Sequence, residues 1–322
     1  MPIRFTSPSL GGQRQVFLQR HEWELGVSYR RLTADDWFIE DQIEPDSAPG
    51  GQPNQFNINT IDLSLRYGVT EQLSLLFTVP LTTGTNSRIH PDGNRHGTSA
   101  TGIGDISLVG NLWLLNASTH PAGNVALGLG IKAPTGKNDI EDDFATPSGT
   151  IQHAVHPGIQ PGDGGWGILV QAQGYQRLVG DLSGYFFGAY MLNPAEKSEI
   201  SFIPGGTTPI SIPDVYHFRF GAAYPVWRSA GLSTSLGVRF DGIPVRDVLG
   251  GDEGFRAPGY TAYIDPGLSI SVGASTFTLS VPVRVHGEFK KNVNDQRGGP
   301  PPFGNRGDLA GYLVFAGYAL RF

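Results

Sequence analysis

The chain has 322 residues, a formal net charge of -6 and no cysteine, and only 16% of its residues are charged. The cysteine count excludes disulfides and zinc–thiolate sites, and the absence of a basic tract argues against nucleic acid as a partner. No window approaches the roughly 18 to 20 apolar residues of a membrane helix, whereas a membrane β-strand needs only about 9 to 11 alternating residues. Composition therefore excludes a helical membrane protein but allows a membrane barrel.

The first 20 residues are polar and irregular, and residues 1–12 lack the apolar core of a signal peptide. We expect a periplasmic lead-in over residues 1–20, with its signal peptide outside this numbering. A small plug inside a barrel lumen is the alternative for this segment.

From residue 21 onward, runs of alternating residues predict strands, because successive side chains of a strand point to opposite faces. In the first run, Trp23, Leu25, Val27 and Tyr29 alternate with polar or small residues. About twelve such runs follow one another to the end of the chain. They cover residues 21–32, 58–68, 73–79, 106–114, 124–132, 166–176, 182–192, 215–226, 232–241, 264–271, 277–286 and 312–322.

The connections between these runs alternate between long and short. The short ones lie near residues 70, 119, 180, 229 and 274. A soluble sandwich has no reason to keep its long loops at one end, whereas outer-membrane barrels combine tight periplasmic turns with long extracellular loops. We therefore predict an all-β protein, a single antiparallel transmembrane β-barrel of about 12 strands over residues 21–322, in the cell outer membrane. The long loops cover residues 33–55, 82–100, 137–164, 193–213, 243–258 and 290–307.

Aromatic residues agree with this location. Tyr67, Trp227 and Phe322 fall near predicted periplasmic ends, where an aromatic girdle is expected. A terminal Phe that closes an alternating strand resembles the C-terminal signature that barrel assembly machinery reads, so we expect that machinery and outer-membrane lipid as partners. Trp113 falls on the polar face of its strand, which predicts a bulge or register break there.

The stretch around the fourth and fifth runs resembles a known family. Residues 101–108 (TGIGDISL) and 126–136 (ALGLGIKAPTG), with 67–75 (YGVTEQLSL) and Val79-Pro80-Leu81, are similar to the MetA-pathway of phenol degradation family. The similarity covers residues 57–136. The resemblance implies an outer-membrane β-barrel transporter, with no catalytic residues to carry over.

If the aliphatic faces meet lipid, the polar faces line a lumen that carries both signs of charge. One interpretation is a narrow polar pathway whose charges select solutes, and the other is a set of salt bridges that brace the wall. Arg219, Arg239 and Arg284 form either a basic ladder for an anionic solute or pairs with Asp241, Asp265 and Asp105. The candidate lumen-lining residues are Arg30, Asp62, Arg66, Asp105, Lys132, His217, Arg219, Arg239, Asp241, Asp265, Arg284 and His286.

Catalytic and metal chemistry receive little support. The run Asp139–Asp143 supplies oxygen ligands without the spacing of a calcium loop, so a solvated outer loop is the preferred interpretation. A barrel lipase needs Ser and His on the lipid-facing wall, but His217 and His286 fall on the lumenal face of their strands, and no Gly-x-Ser-x-Gly motif occurs. We therefore expect no enzyme, cofactor or metal. The predicted function is passive or facilitated passage of a small molecule, aromatic or apolar, and the alternative is a structural or adhesive barrel with a closed lumen that acts through its extracellular loops.

Overall fold

The structure is a computed structural model that describes residues 17–116, 119–201, 208–299 and 301–322. No helix in this part of the chain is long and apolar enough to cross a membrane. The helical segments are α1 (Val293–Gln296) and three single 3-10 turns, Pro45–Ser47, Pro49–Gly51 and Arg228–Ala230. The strands are β1 (Trp23–Ile39), β2 (Gln42–Ile43), β3 (Gln55–Gly68), β4 (Leu73–Ile89), β5 (Arg95–Ile103), β6 (Ser107–Trp113), β7 (Gly123–Lys132), β8 (Glu141–Thr146), β9 (Gly149–Ala154), β10 (Gly167–Val179), β11 (Leu182–Leu192), β12 (Lys197–Ser201), β13 (Pro209–Ser211), β14 (Val215–Trp227), β15 (Leu232–Ile243), β16 (Gly259–Val272), β17 (Ser275–Ser280), β18 (Val283–Phe289) and β19 (Arg306–Arg321).

Twelve antiparallel spans form one closed barrel. Ten of them are single strands, and two are strand pairs that share a span, β5 with β6 and β17 with β18. The barrel closes where β1 pairs with β19, from Glu24 opposite Arg321 to Ile39 opposite Arg306. The predicted single antiparallel barrel of twelve strands is confirmed.

The two interrupted spans have different local causes. Between β5 and β6, the three residues Gly104 to Ile106 stand opposite only two residues of β4, which is a β-bulge. Between β17 and β18, Pro282 lacks the N–H that a ladder needs, yet the register with β16 continues unchanged. A bulge also lies within β18, where Arg284 and His286 stand opposite the adjacent residues Tyr263 and Ala262.

Apart from the connection between β4 and β5, the connections separate by length as the sequence predicts. Five short ones lie at one end, at residues 69–72, 114–122, 180–181, 228–231 and 273–274. The prediction of a loop over 82–100 is wrong, because β4 and β5 pair through it as a hairpin with only residues 90–94 at its tip. Those strands carry Thr, Ser, Asn and Gly on both faces, so they show no hydrophobic alternation. The connections at the other end are 40–54, 90–94, 133–166, 193–214, 244–258 and 290–305.

The outer face of the barrel carries a band of exposed aliphatic and aromatic side chains. On β4 this band runs from Leu75 to Leu81, and the next outward residues, from Thr83 to Ser87, are polar. On β7 it includes Leu129, which is 67% exposed. An exposed apolar band of limited height is the surface that a lipid bilayer covers, so the upper part of β4 stands above the membrane.

Aromatic rings border this band. At the end with the short connections, Trp23 packs against Tyr67 with ring centroids 4.4 Å apart. Trp227 and Phe322 are also exposed at this end. Near the other end, Tyr190 stacks on Tyr216 at 6.4 Å. Amphipathic rings prefer the two membrane–water interfaces, so these positions agree with a girdle at each edge of the band.

The lipid-facing role of the band predicts the effect of a charge placed in it. We expect Leu129→Arg to lower the free energy of unfolding by about 2–4 kcal/mol, because the guanidinium enters the hydrocarbon near mid-membrane. Urea titration of the barrel in phospholipid vesicles measures this change. Ile151→Arg, on β9 outside the barrel, is the matched control and should have little effect. Equal losses for both variants would argue against a lipid-covered band.

Candidate functional site

Most of the predicted lumen residues lie inside the barrel, and nearly all are paired there. Arg30 donates two hydrogen bonds to Asp62, at 2.7 and 2.9 Å, and both side chains are buried. Nearer the short connections, Glu24 contacts Arg66 at 3.2 Å and Arg321 at 2.7 Å. Opposite charges enclosed together offset part of the cost of leaving water.

The three arginines that suggested a basic ladder are each neutralised by a carboxylate. The Arg219 guanidinium contacts Asp265 at 2.5 Å, and Arg239 donates to Asp241 at 2.7 and 3.0 Å. Arg284 pairs with Asp36 rather than with the expected Asp105.

Neighbouring side chains complete these pairs. His217 Nδ1 lies 2.9 Å from Asp241, and Arg239 stands over the ring of Phe315 at 4.4 Å. Ser280 donates to Asp265, and Arg219 lies 5.3 Å from the ring of Tyr185. That these residues select the solute stays a prediction.

His286 is the exception among the predicted lumen residues. The bulge within β18 reverses the alternation, so His286 lies on the outer face and its ring is 5.4 Å from that of Tyr260. The sequence contains no separate signal for this single-residue insertion. The expectation of a lumenal His286 is therefore wrong.

Asp105 and Lys132 bring together the two segments that carried the family resemblance. Lys132 Nζ contacts Asp105 at 3.2 Å and also contacts Asp163. Asp105 accepts from the Gly136 N–H at 3.0 Å, and the Thr135 hydroxyl donates to the Gly104 carbonyl at 3.0 Å. These bonds tie the bulge after β5 to the segment that follows β7.

A seam in the barrel wall lies directly above this cluster. β7 ends at Lys132 and β10 begins at Gly167, while β5 pairs with β4 along its other edge. Residues 133–137 and 161–165 fill the gap without a strand ladder. Gly162 donates to the Lys137 carbonyl at 2.9 Å, and a Cβ on Gly102 would lie 3.7 Å from that of Pro161.

The mouth at the short-connection end is occupied by the described part of the N-terminal segment. The ring of Phe17 lies 4.7 Å from that of Trp113 and 5.9 Å from that of Tyr175, and Arg321 donates to the Phe17 carbonyl at 3.1 Å. Residues 1–16 of the predicted lead-in lie outside the described residues. Trp113 keeps its register opposite Ala126, so the expected register break there is wrong, and its inward ring serves this aromatic cluster.

A chamber of about 970 Å³ lies at the opposite end, above the apolar band. At that level the polarity of the two faces of the wall is exchanged. On β1 the outward residues change from Val27 and Tyr29 to the charged Arg31, and the inward residues change from Arg30 to the apolar Leu32. β3 shows the same inversion between residues 61 and 57. Most of the wall is apolar, and it includes Leu32, Phe56, Ile58, Val215, Ile243, Phe255 and Phe289.

Most of the polar side chains on the chamber wall come from segments that the sequence places in loops. They were missed because loop residues have no periodicity that tells which of them face inward. The exchange of polarity between the two faces of β1 and β3 is the sequence pattern from which the chamber could have been predicted. The polar lining includes Arg88, His90, His156, Arg256, Arg306 and Asp308.

The loop carboxylates considered for calcium are engaged in hydrogen bonds. Asp142 accepts from the Ser99 N–H at 2.8 Å, and Asp143 accepts from Gln152. Across residues 17–116, 119–201, 208–299 and 301–322, no group of three or more His, Asp or Glu is arranged to hold a metal ion.

Removing one charge of a lumenal ion pair should lower the free energy of unfolding much more than replacing both partners with apolar residues. We expect Asp265→Asn to destabilise the barrel by about 3–5 kcal/mol, because the buried Arg219 loses its counter-charge. The double variant Arg219→Leu/Asp265→Leu should recover most of this loss. Unfolding titrations of the three proteins in vesicles measure the difference, and a double variant no more stable than Asp265→Asn would contradict it.

His156 predicts a pH dependence of the outer loops. Burial against Phe56 and the positive charge of Arg88 lower the pKa of His156, and its Nδ1 accepts from the Gly158 N–H at 3.0 Å. Below about pH 6.5, His156 binds a proton when the loop is unpacked but not when it is packed. The free energy that favours the packed loop therefore decreases as the pH falls. Hydrogen exchange of residues 155–160 should therefore speed up between pH 7.5 and 5.5, after correction for intrinsic rates. His156→Gln should reduce this pH effect, and an unchanged effect would refute the assignment.

Comparison with known proteins gives the fold. No family model and no curated protein matches the chain. The fold is similar to that of an outer membrane channel from Pseudomonas putida F1, with 14% identity and a TM-score of 0.65 over 99% of this chain and 100% of that one. Weaker likenesses are the CymD monoaromatic hydrocarbon channel (12% identity, TM-score 0.43, 95% of this chain and 89% of that one) and the β domain of the Bordetella autotransporter BrkA (11%, 0.49, 94% and 100%). The chain therefore has the closed twelve-stranded fold of an outer membrane channel.

Proposed function

We propose that this barrel passes small apolar molecules, including aromatic ones, across the outer membrane by passive or facilitated diffusion. The chamber carries this proposal. Its volume of about 970 Å³ and its mostly apolar wall suit a ligand with little polarity, since small-molecule sites are concave and mainly apolar with a few polar groups.

The lumen beneath the chamber disfavours a wide aqueous pore. Arg219, Asp265, Arg239 and His217 are each 5% exposed or less, so little water reaches them. Below them, Phe17 packs on Trp113 at the mouth. A polar solute moving through this lumen has to displace paired charges, whereas an apolar molecule gains nothing from entering it.

The seam offers an apolar molecule a shorter path out of the chamber than the lumen does. It adjoins the chamber through Gly162 and Asp163, which line both. Displacing residues 133–137 and 161–165 breaks few backbone hydrogen bonds, because no strand ladder closes this part of the wall. We propose that the ligand leaves the chamber here, between β5 and β10.

An engineered disulfide tests this route in a chain that has no cysteine of its own. The Cβ atoms of Gly102→Cys and Pro161→Cys would lie 3.7 Å apart, close to the ~3.8 Å of natural disulfides. Oxidation should close the seam and reduce uptake of N-phenylnaphthylamine by Gram-negative cells to the level of cells without the barrel. Dithiothreitol should restore uptake.

The matched control joins strands that are already hydrogen-bonded. Gly26→Cys/Ser64→Cys places Cβ atoms 3.8 Å apart between β1 and β3. Its oxidation should leave uptake unchanged. Equal inhibition in both proteins, or none in the seam variant, would refute the lateral route.

The second candidate function is a structural or adhesive barrel that acts through its outer loops. The buried ion pairs and the occupied mouth favour it, since both describe a closed lumen. Absence of uptake in the folded, unlocked barrel, together with loss of cell adhesion on removal of loop residues 141–154, would select this candidate.

We also propose membership of the MetA-pathway of phenol degradation family and insertion by barrel assembly machinery. The interlocking of Asp105, Lys132, Thr135 and Gly136 supports the first, because the segments that carry the resemblance form one structural unit. The alternation along β19 supports the second. The function proposed is transport, not catalysis.

A further inference from the structure

A cation, Arg88, and a hydrogen-bond donor, His90, lie together at the outer end of β4. Arg88 faces inward above the membrane band, and its Cζ lies 5.0 Å from the centroid of the Phe144 ring. His90 stacks on the same ring, with centroids 4.3 Å apart and an interplanar angle of 21°. Both residues line the chamber.

His90 carries a buried N–H at the wall of the chamber. Its Nδ1 accepts a hydrogen bond from the Ala145 N–H at 3.0 Å, so the proton of the neutral ring is on Nε2. Nε2 has no hydrogen-bond partner among the described residues, and His90 is only 2% exposed. A buried donor without an acceptor is costly, so this position favours a ligand that supplies one.

Arg88 differs from the lumenal cations, which each contact a carboxylate. No carboxylate of the described residues lies within ion-pair distance of Arg88. Asp92, on the same hairpin, is held by His96 at 2.7 Å. Arg306, also on the chamber wall, lies over Phe303 and likewise makes no such pair among these residues.

One carboxylate on the chamber wall opposes this positive charge without an ion pair among the described residues, since Asp163 contacts Lys132. Asp308 lines the chamber, accepts from Asn54 at 2.7 Å and leaves its Oδ1 buried without a partner in the described part of the chain. It belongs to β19, whereas Arg88 and His90 belong to the β4–β5 hairpin. Two guanidinium groups without an ion pair, against one such carboxylate, favour an anionic ligand.

We propose that Arg88 and His90 form an anion subsite, and that the chamber takes molecules with an apolar body and one carboxylate. The carboxylate accepts hydrogen bonds from the Arg88 guanidinium and from His90 Nε2, while the body packs against Leu32, Phe56 and Ile58. Arg forms bidentate bonds with carboxylates, which fix the orientation of the ligand as well as its affinity. This assignment names the substrate class of the proposed function.

Calorimetric titration of the full chain in neutral-lipid nanodiscs tests the subsite. Decanoate, 1-decanol and decylamine have the same alkyl chain and different head groups, and empty nanodiscs correct for partition into lipid. We expect decanoate to bind at least about ten-fold more tightly than decanol, as hydrogen bonds to charged groups provide. Arg88→Gln should remove this preference and leave decanol binding unchanged.

Two further variants distinguish binding at the subsite from a general effect of positive charge and from a loss of folding. Arg31→Gln removes the same charge from the outer face of β1 and should keep the preference. Arg88→Lys retains the charge without the planar fork and should retain a weaker preference for decanoate.

Equal binding of decanoate and decanol by the unaltered protein would overturn the proposal. So would a preference that survives Arg88→Gln, or tighter binding of decylamine, which would point to Asp308. Binding that depends on Arg88 in a barrel that gives no uptake in cells would refute the proposed passage and leave the subsite standing.

Discussion

Closure of the sheet is the constraint on which the rest of this structure depends. In hydrocarbon no water is present to satisfy a free N–H or C=O, so a spanning sheet must have no open edge. The pairing of β1 with β19 removes the two edges that a linear sheet would leave. Because the register of this pair is fixed, the residues of β1 and β19 that share a face are fixed as well. Leu25 and Tyr318 then face lipid while Glu24 and Arg321 face the lumen.

Closure also creates a narrow interior that side chains must fill. Charged side chains placed there lose contact with water, and they pair with charges on other spans, as Arg30 on β1 does with Asp62 on β3 and Arg219 on β14 with Asp265 on β16. Above the membrane the wall is surrounded by water on its outside, so the polar residues move outward and the apolar ones inward. The same strands therefore build a charged lumen at one level and an apolar chamber at the next.

The sequence is most informative where burial by lipid imposes a period of two. The strands around Leu63, Phe77 and Leu129 could be predicted because their outward residues are apolar. The β4–β5 hairpin could not, because Thr85, Asn86 and Thr98 are polar on both faces. His286 was misplaced because a one-residue bulge reverses the alternation without changing composition. The partners of Arg284 and Lys132 could not be predicted either, since Asp36 and Asp163 lie in regions without periodicity.

The inversion of polarity along β1 and β3 has a consequence for the kinetics of this barrel. Since the chamber stands above the hydrocarbon, a molecule on the proposed route sheds its hydration there before it meets lipid, and a volume of about 970 Å³ limits how many molecules the chamber holds. Flux then depends on how often that chamber is filled and how fast it empties, not on solubility in the outer leaflet. Entry of a compound should consequently saturate with its concentration, and two compounds that share the chamber should compete.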